Sequence, residues 1–242
     1  ADDGIRHRLW VIDQAKTLEH IESLFKTKVP SIYIADGHHR TAAGALVGEE
    51  FVNARNGNFN DGKRDNYFMA VVFPDNQLKI LDYNRVVKDL NGLSEGKLME
   101  KLQLNFNIEP KENAYRPEYL HTFGMYINNR WYKLTSIEGT YNDEDPVGQL
   151  DVTILSENVL EPIFNIIDLR KDKRIDFVGG MRGLGELEKR VDSGEMKVAF
   201  SMYPVSMEQL IDISDNDLLM PPKVTWFEPK LRSGLFVHDL NE

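Results

Sequence analysis

One short stretch near the N-terminus, residues 31–43, constrains the fold of this chain more than any other. Residues 31–35 form an apolar run that contains β-branched side chains, and residues 41–43 begin a run of small helix formers. Between them stand an acid, a glycine, two histidines and an arginine: Asp36, Gly37, His38, His39 and Arg40. The pattern predicts a strand that enters a polar corner and passes directly into a helix. Because unpaired N–H groups and the helix dipole favour anions there, it indicates a phosphate site.

Each side chain of this corner suits a task in phosphate chemistry. Gly37 lets the backbone approach an anion closely, and Arg40 offers a planar fork of donors for phosphate oxygens. His38 and His39 can each donate a hydrogen bond or a proton near neutral pH. Asp36 can hold a histidine tautomer or bind Mg²⁺. The alternatives are an ordinary capped helix and, less favoured because adjacent residues rarely face one ion, a transition-metal site of Asp36, His38 and His39.

Charge and composition exclude several functional classes. The 242 residues include 29 basic and 39 acidic side chains, which gives a formal net charge of −10 and disfavours a general nucleic-acid surface. Cysteine is absent, so disulfides, thiolate zinc sites and a thiol nucleophile are excluded. No apolar run approaches the roughly 20 residues needed to span a bilayer, and no signal pattern stands at the start. We therefore expect a cytoplasmic protein with no membrane partner, and the first residue, Ala1, suggests that a segment upstream is missing.

The hydrophobic pattern predicts a mixed α+β fold. Helices are predicted at residues 15–28, about 39–47, 94–102, 150–163, 186–191 and 206–213. Strands are predicted at residues 9–12, 31–35, 67–73, 78–83, 106–110, 123–127, 131–134, 174–178, 197–203 and 235–238. Residues 67–73 and 78–83 are expected to form a hairpin. The polar, glycine-containing segment 48–66 predicts a loop, so we place a domain boundary between residues 64 and 65, giving parts 1–64 and 65–242.

A C-terminal segment, residues 220–234, is a second candidate for ligand binding. It carries three cations, Lys223, Lys230 and Arg232, with Trp226 and Phe227 between them. Cations and aromatic faces together suit a nucleotide or a phosphorylated substrate. The alternative is a solvated loop anchored in the core by its two aromatic residues.

Two other patterns are weaker. The glycine-containing run 179–185 follows a predicted strand, but it lacks the dinucleotide spacing and the P-loop lysine, so a glycine turn is favoured. Arg85 follows a predicted hairpin strand and can be explained by an ordinary surface ion pair.

The run Ile34-Ala35-Asp36-Gly37-His38-His39-Arg40 resembles the motif of a prokaryotic family catalogued as domain of unknown function 1015. Further segments extend the resemblance along the chain: residues 7–10, 65–71, 150–162 and 220–234. Two positions depart from the family pattern. Thr41 stands where an aromatic residue is common, and Asn84-Arg85 stands where a His-Arg pair is common. Members are usually longer at the N-terminus.

The corner also resembles that of the ParB and sulfiredoxin-like superfamily, which includes free-serine kinases with the same Asp-Gly-His-His-Arg run. This resemblance implies a strand, corner and helix unit of that type, joined to a larger mixed-sheet region. It also implies a phosphate-handling site at residues 36–40, with Lys223, Lys230 and Arg232 as companions.

These observations favour a small-molecule phosphotransferase, such as a kinase acting on free serine or a related hydroxylated metabolite. The donor would be a nucleotide or pyrophosphate, used with Mg²⁺. Gly37, His38, His39 and Arg40 would hold the phosphoryl group, and Asp36 would be the base or the Mg²⁺ ligand, unless a glutamate upstream is the base. The alternative is a nucleotide- or anion-binding module without catalysis. A DNA-binding role fits the acidic charge poorly, and the oligomeric state is not predicted.

Overall fold

The chain forms two compact units, Ala1–Arg40 and Thr41–Glu242, in a computed structural model. The structure describes residues 4, 6–58, 63–232 and 234–240. The predicted mixed α+β class is confirmed, because helices accompany antiparallel sheets. The predicted boundary between residues 64 and 65 stays a prediction, and residues 59–62 of the predicted loop lie outside the described residues. Within those residues, no helix has both the length and the apolar composition needed to cross a membrane.

The first unit is built around helix α1, Ala15–Lys28, which has the predicted bounds. Its apolar residues Leu18, Ile21 and Phe25 recur at helical spacing. Helix α2, His38–Ala54, begins at the end of this unit. It runs seven residues beyond the predicted end at Val47, because residues 48–54 contain no proline to stop a helix.

The second unit contains a six-stranded antiparallel sheet and a separate two-stranded sheet. The strands, in chain order, are β1 Lys79–Leu81, β2 Tyr83–Val87, β3 Phe106–Lys111, β4 Thr122–Ile127, β5 Arg130–Ser136, β6 Ile175–Gly179, β7 Val198–Ser201 and β8 Trp226–Glu228. The large sheet has the order β3-β5-β4-β7-β2-β6, and the small sheet pairs β1 with β8. Strand β2 therefore lies between two strands that come much later in the chain.

Helices cover both faces of the large sheet. They are α3 Glu95–Leu102, α4 Asp151–Leu155, α5 Leu184–Asp192 and α6 Met207–Asp215, and a π-helical turn, Ser156–Leu160, continues α4. Side chains alternate between the two faces along a strand, so neighbouring Val86 and Val87 enter different cores. Val87 packs in the larger core with residues of α3, α4 and α6, and Val86 packs in the smaller core with Leu187 and Val191 of α5.

Local sequence signals placed several element ends correctly. Ser94 caps α3, since its Oγ accepts a hydrogen bond from Lys97 N at 3.4 Å. Ser206 caps α6 in a reciprocal capping box with Gln209. The predicted strands 123–127 and 131–134 are present as β4 and β5, and they pair as a hairpin. Asn128 and Asn129 form its turn with φ of +50° and +59°, the left-handed backbone that such two-residue turns need.

Four predicted strands are wrong: residues 9–12, 31–35, 67–73 and 235–238 form no strand in the structure. An apolar, β-branched pattern indicates extended backbone, but a strand also needs a partner that completes its ladder of hydrogen bonds. The predicted hairpin of 67–73 with 78–83 fails for this reason, because β1 pairs with β8 in the register Ile80 to Phe227. The predicted helix 150–163 is also interrupted, since its second part is π-helical.

Candidate functional site

The polar corner at residues 36–40 has a defined backbone geometry. Helix α2 begins at His38, directly after Gly37, whose φ of +84° is readily adopted only by glycine. The Gly37 N–H donates to Asp36 Oδ1 at 2.8 Å, so the carboxylate closes the turn before the helix. A Cβ atom at position 37 would lie 3.1 Å from Arg40 Nη2 and 3.3 Å from Arg40 Nε. The missing side chain therefore leaves room for the Arg40 guanidinium to fold back against the turn.

The corner is open to solvent. The side chains of Asp36, His38, His39 and Arg40 are exposed, and Gly37 is half-buried. In the part of the chain that the structure describes, no group of three or more His, Asp or Glu residues is arranged to hold a metal ion. A Mg²⁺ ion at Asp36 would therefore take most of its oxygen ligands from a phosphate and from water, as Mg²⁺ commonly does.

The three C-terminal cations belong to the second unit, and two of them lie against aromatic rings. Lys223 Nζ is 5.9 Å from the centroid of the Tyr83 ring and 6.0 Å from that of Phe177. Lys230 Nζ is 5.6 Å from the centroid of Trp226, and the backbone N–H of Lys230 donates to Glu228 Oε2 at 3.0 Å. The third cation, Arg232, is exposed.

The two aromatic residues of this segment have structural roles. Strand β8 lies within the segment, and its buried Phe227 anchors it against Ile80. The Trp226 indole N–H donates to Glu228 Oε1 at 2.8 Å. The segment is therefore anchored by its aromatic residues, as the alternative interpretation of a core-anchored loop predicts. Its two lysine side chains are exposed.

Arg85 is buried, and its interpretation as a surface ion pair is wrong. Its side chain is 1% exposed and donates to two backbone carbonyls, Tyr83 O and, at 2.9 Å, Lys223 O. Its Cζ lies 5.5 Å from the centroid of the Phe177 ring. Burial lowers the pKa of Arg85 to about 10, so the guanidinium keeps its charge at neutral pH. Arg85 is buried because β2 lies between its neighbours β6 and β7 within the large sheet.

The glycine run 179–185 is explained by packing. A Cβ atom at Gly179 would collide with the Trp226 ring, and one at Gly180 would collide with the Asp82 carboxylate. That carboxylate is itself buried, and it accepts hydrogen bonds from Arg116 Nη1 at 2.5 Å and from Asn84 Nδ2 at 2.7 Å. Both glycines thus have a structural reason, as expected for a glycine turn.

A second buried carboxylate, Asp151, had no assigned role in the sequence. It is 2% exposed and stands at the start of α4. Its Oδ1 accepts a hydrogen bond from the backbone N–H of His121 at 2.7 Å, whereas its buried Oδ2 has no hydrogen-bond partner. Burial raises the pKa of Asp151 to about 7. The only sequence signal for this residue is its place in the 150–162 segment of the family resemblance.

The solved structures that are similar to this chain have low sequence identities and low TM-scores. A free serine kinase mutant in complex with AMP is 15% identical, with 90% of this chain and 81% of that chain covered and a TM-score of 0.41. A conserved hypothetical protein from Pyrococcus furiosus is 16% identical, with coverages of 87% and 81% and a TM-score of 0.41. A free serine kinase mutant in complex with ADP is 17% identical, with 90% of this chain and 81% of that chain covered and a TM-score of 0.39. Likeness at this level decides nothing about the chemistry of this chain.

No curated protein matches the sequence. A family model does match it, over residues 1–153, which include the polar corner, α1, α2 and the buried strand β2. This match covers more than half of the chain. The chain therefore belongs to the family described as "Protein of unknown function (DUF1015)".

Proposed function

We propose that the chain handles phosphate at the Asp36–Arg40 corner, as a phosphotransferase that moves a phosphoryl group to the hydroxyl of a small metabolite such as free serine. The donor in this proposal is a nucleotide or pyrophosphate. The observation that carries it is the corner itself, in which a left-handed Gly37 precedes the first turn of α2 and the Arg40 guanidinium folds back beside it. Free N–H groups and a planar cation at one helix start match the oxygens of a phosphate.

In this mechanism the first-turn N–H groups of α2 and the Arg40 guanidinium hold the transferred phosphoryl group. His38 and His39 donate hydrogen bonds to its oxygens. The metabolite hydroxyl attacks phosphorus while the bond to the donor's leaving phosphate breaks, and the hydroxyl proton passes to a carboxylate. Asp36 is the carboxylate of the corner, and it serves as this base or as a Mg²⁺ ligand. When bound, Mg²⁺ would neutralise charge on the donor's phosphate oxygens.

We also propose that the corner is of the ParB and sulfiredoxin-like type. The start of α2 at His38, directly after the left-handed Gly37, supports this, although the strand expected before the corner is not formed. The Lys223, Lys230 and Arg232 side chains remain proposed companions of this chemistry, and a small-molecule substrate remains the proposed partner.

One observation favours a second candidate function, a nucleotide- or anion-binding module without catalysis. The four charged or ionisable side chains of the corner are all exposed to solvent. Phosphoryl transfer to a metabolite requires a site that keeps water from competing for the phosphoryl group. A binding module has no such requirement.

The test is incubation of the protein with Mg²⁺, serine and, in turn, ATP, ADP or pyrophosphate, with phosphoserine detected by phosphorus NMR. Phosphoserine formation is the expected result. Tight nucleotide binding without turnover, over a panel of hydroxylated metabolites, would instead support the binding module.

Donor affinity in the Arg40→Ala variant tests the corner directly. Loss of charge-assisted hydrogen bonds is expected to weaken donor binding by about 10- to 100-fold. Lys16→Ala is the matched control, because it removes one exposed positive charge from α1 of the same unit and should leave affinity unchanged. Unchanged affinity in Arg40→Ala would show that the corner is structural.

A further inference from the structure

The second unit contains a cluster of cations and aromatic rings, of which only Lys223 has a part in the proposed function. We call it the aromatic–cation cluster, and its members are Tyr83, Arg85, Phe177, Lys223 and Trp226. The Tyr83 ring lies 5.7 Å from Phe177 and 5.5 Å from Trp226, measured between ring centroids. All three rings are half-buried. The cluster thus joins β2, β6 and β8 on a partly exposed apolar platform.

The buried Arg85 charge is not balanced by an anion in the cluster. Two of its guanidinium nitrogens donate to the carbonyls of Tyr83 and Lys223, and its buried Nε has no hydrogen-bond partner. In the residues that the structure describes, no carboxylate forms an ion pair with Arg85 or with Lys223. A buried charge is costly unless it is paired, so this part of the fold favours an anion nearby.

Lys223 is held in an unusual backbone conformation by the same arginine. Its φ is +59°, in the left-handed region that is unfavourable for a non-glycine residue. The Arg85 Nη2 donates to its carbonyl at 2.9 Å, which fixes the backbone there. The exposed side chain then carries its ammonium over both Tyr83 and Phe177. Strain of this kind persists where the surrounding structure enforces it, and it often accompanies a functional position.

We propose that Lys223, positioned by Arg85, binds an oxyanion, the phosphate or carboxylate group of a small molecule, at the aromatic–cation cluster. Lys223 contacts the ligand, and Arg85 is a positioning residue because it is too buried to reach it. The bound anion balances two neighbouring positive charges, and the rings beneath keep water away from one side of the contact. This site belongs to the second unit and does not depend on phosphate binding at residues 36–40.

Titration calorimetry with inorganic phosphate and with acetate tests the proposal. The full chain carrying Arg40→Ala is used, so that the corner does not contribute. Saturable binding of phosphate alone identifies a phosphate site, and saturable binding of acetate alone identifies a carboxylate site. Binding of both identifies a general oxyanion site. If neither phosphate nor acetate binds, the proposal is overturned.

Lys223→Gln keeps the stem of the side chain and removes its charge, and we expect it to weaken anion binding at least 10-fold. Lys111→Gln is the matched control, because Lys111 Nζ also lies over a ring, 5.7 Å from Tyr115, but is paired with Glu109. Binding should be unchanged in that variant. Equal anion affinity in Lys223→Gln and its parent would overturn the proposal, since Lys223 is exposed and its loss does not threaten folding.

Positioning by Arg85 is tested by two variants on the same background. Arg85→Met removes the charge and both donors and should abolish anion binding, whereas Arg85→Lys keeps one donor and the charge and should restore part of it. Retained binding in a folded Arg85→Met variant would overturn the positioning role.

The outcomes also separate this proposal from the proposed function. If donor affinity were insensitive to Arg40→Ala while anion binding still depended on Lys223, the proposed function would fail and this site would stand. If instead donor affinity fell in Arg40→Ala and anion binding did not depend on Lys223, this proposal would fail and the proposed function would stand.

Discussion

At the scale of single residues, the environment decides what a carboxylate can do. Asp82 and Asp151 are both 2% exposed. Both oxygens of Asp82 accept hydrogen bonds, one of them from the Arg116 cation. Asp151 has one such bond and an orphaned oxygen, and burial raises its pKa to about 7. Two residues of one type and equal burial therefore differ in how completely their oxygens are paired.

The raised pKa of Asp151 predicts a pH-dependent stability. The folded protein keeps this proton up to about pH 7, whereas the unfolded chain releases it near the ordinary value of 3.8. The free energy of unfolding contributed by Asp151 is therefore fully present below pH 4 and is lost as the pH rises to about 7. In Asp151→Asn this loss disappears, because the amide does not titrate and can keep the bond from His121. The free energy of unfolding of the variant minus that of the parent therefore increases from pH 4 to pH 8, by on the order of a few kcal/mol.

Urea unfolding at pH 4, 6 and 8 measures this difference. Asp143→Asn is the control, since that carboxylate is exposed and lies 4.0 Å from the His121 ring of the same region. A stability difference between Asp151→Asn and its parent that does not change with pH would contradict the assignment.

At the scale of elements, short-range signals set the ends of helices and turns. Ser206 Oγ accepts from Gln209 N at 3.1 Å, and Gln209 Oε1 accepts from Ser206 N at the same distance, so α6 starts with two satisfied donors. The corresponding bond at Ser94 is longer, at 3.4 Å. Each cap is made by residues only three positions apart, which is why the predicted helices 94–102 and 206–213 begin at the two capping serines.

The capping box of α6 predicts a measurable stability loss. Ser206→Ala removes the acceptor for Gln209 N and should lower the free energy of unfolding by about 1 kcal/mol. Ser206→Asp retains an acceptor at the same place and should stay near the parent. Urea unfolding of the three proteins checks this, and an alanine variant as stable as the parent would show that the cap contributes nothing.

At the scale of the whole molecule, the charge balance limits the partners. The formal net charge is −10, and some cations of the described residues are paired with carboxylates, as at Arg55, Arg116, Arg174 and Arg190. Nonspecific affinity for DNA depends on cations that neutralise phosphates and release counterions. With ten more acidic than basic side chains, the chain as a whole repels the phosphates of DNA.

We therefore predict no retardation of duplex DNA by the protein at about 150 mM salt, the physiological ionic strength. Gel mobility assays at that salt and at lower salt provide the measurement, with a basic DNA-binding protein as positive control. DNA binding that weakens steeply as salt rises would contradict this prediction and favour a DNA-binding function.

Much of the local structure was predictable from the sequence, and much of the sheet was not. Helix α1, the Asn128-Asn129 turn and the caps of α3 and α6 depend on neighbours within a few residues. The partner of β1 could not be predicted, because β8 lies far along the chain and extended segments of similar apolar character stood closer. For the same reason, residues 67–73 were assigned a pairing that the structure does not contain.

The candidate sites divide in the same way. By itself the sequence determined the corner of Asp36, Gly37 and Arg40, because a glycine turn and a helix start are local events. Only the tertiary structure decided that Arg85 and Asp151 are buried and that Lys223 lies over Tyr83. The hydrogen bond from Arg85 to Lys223 O joins residues 138 positions apart. Burial and ionisation depend on such distant contacts, and no local pattern of residues encodes them.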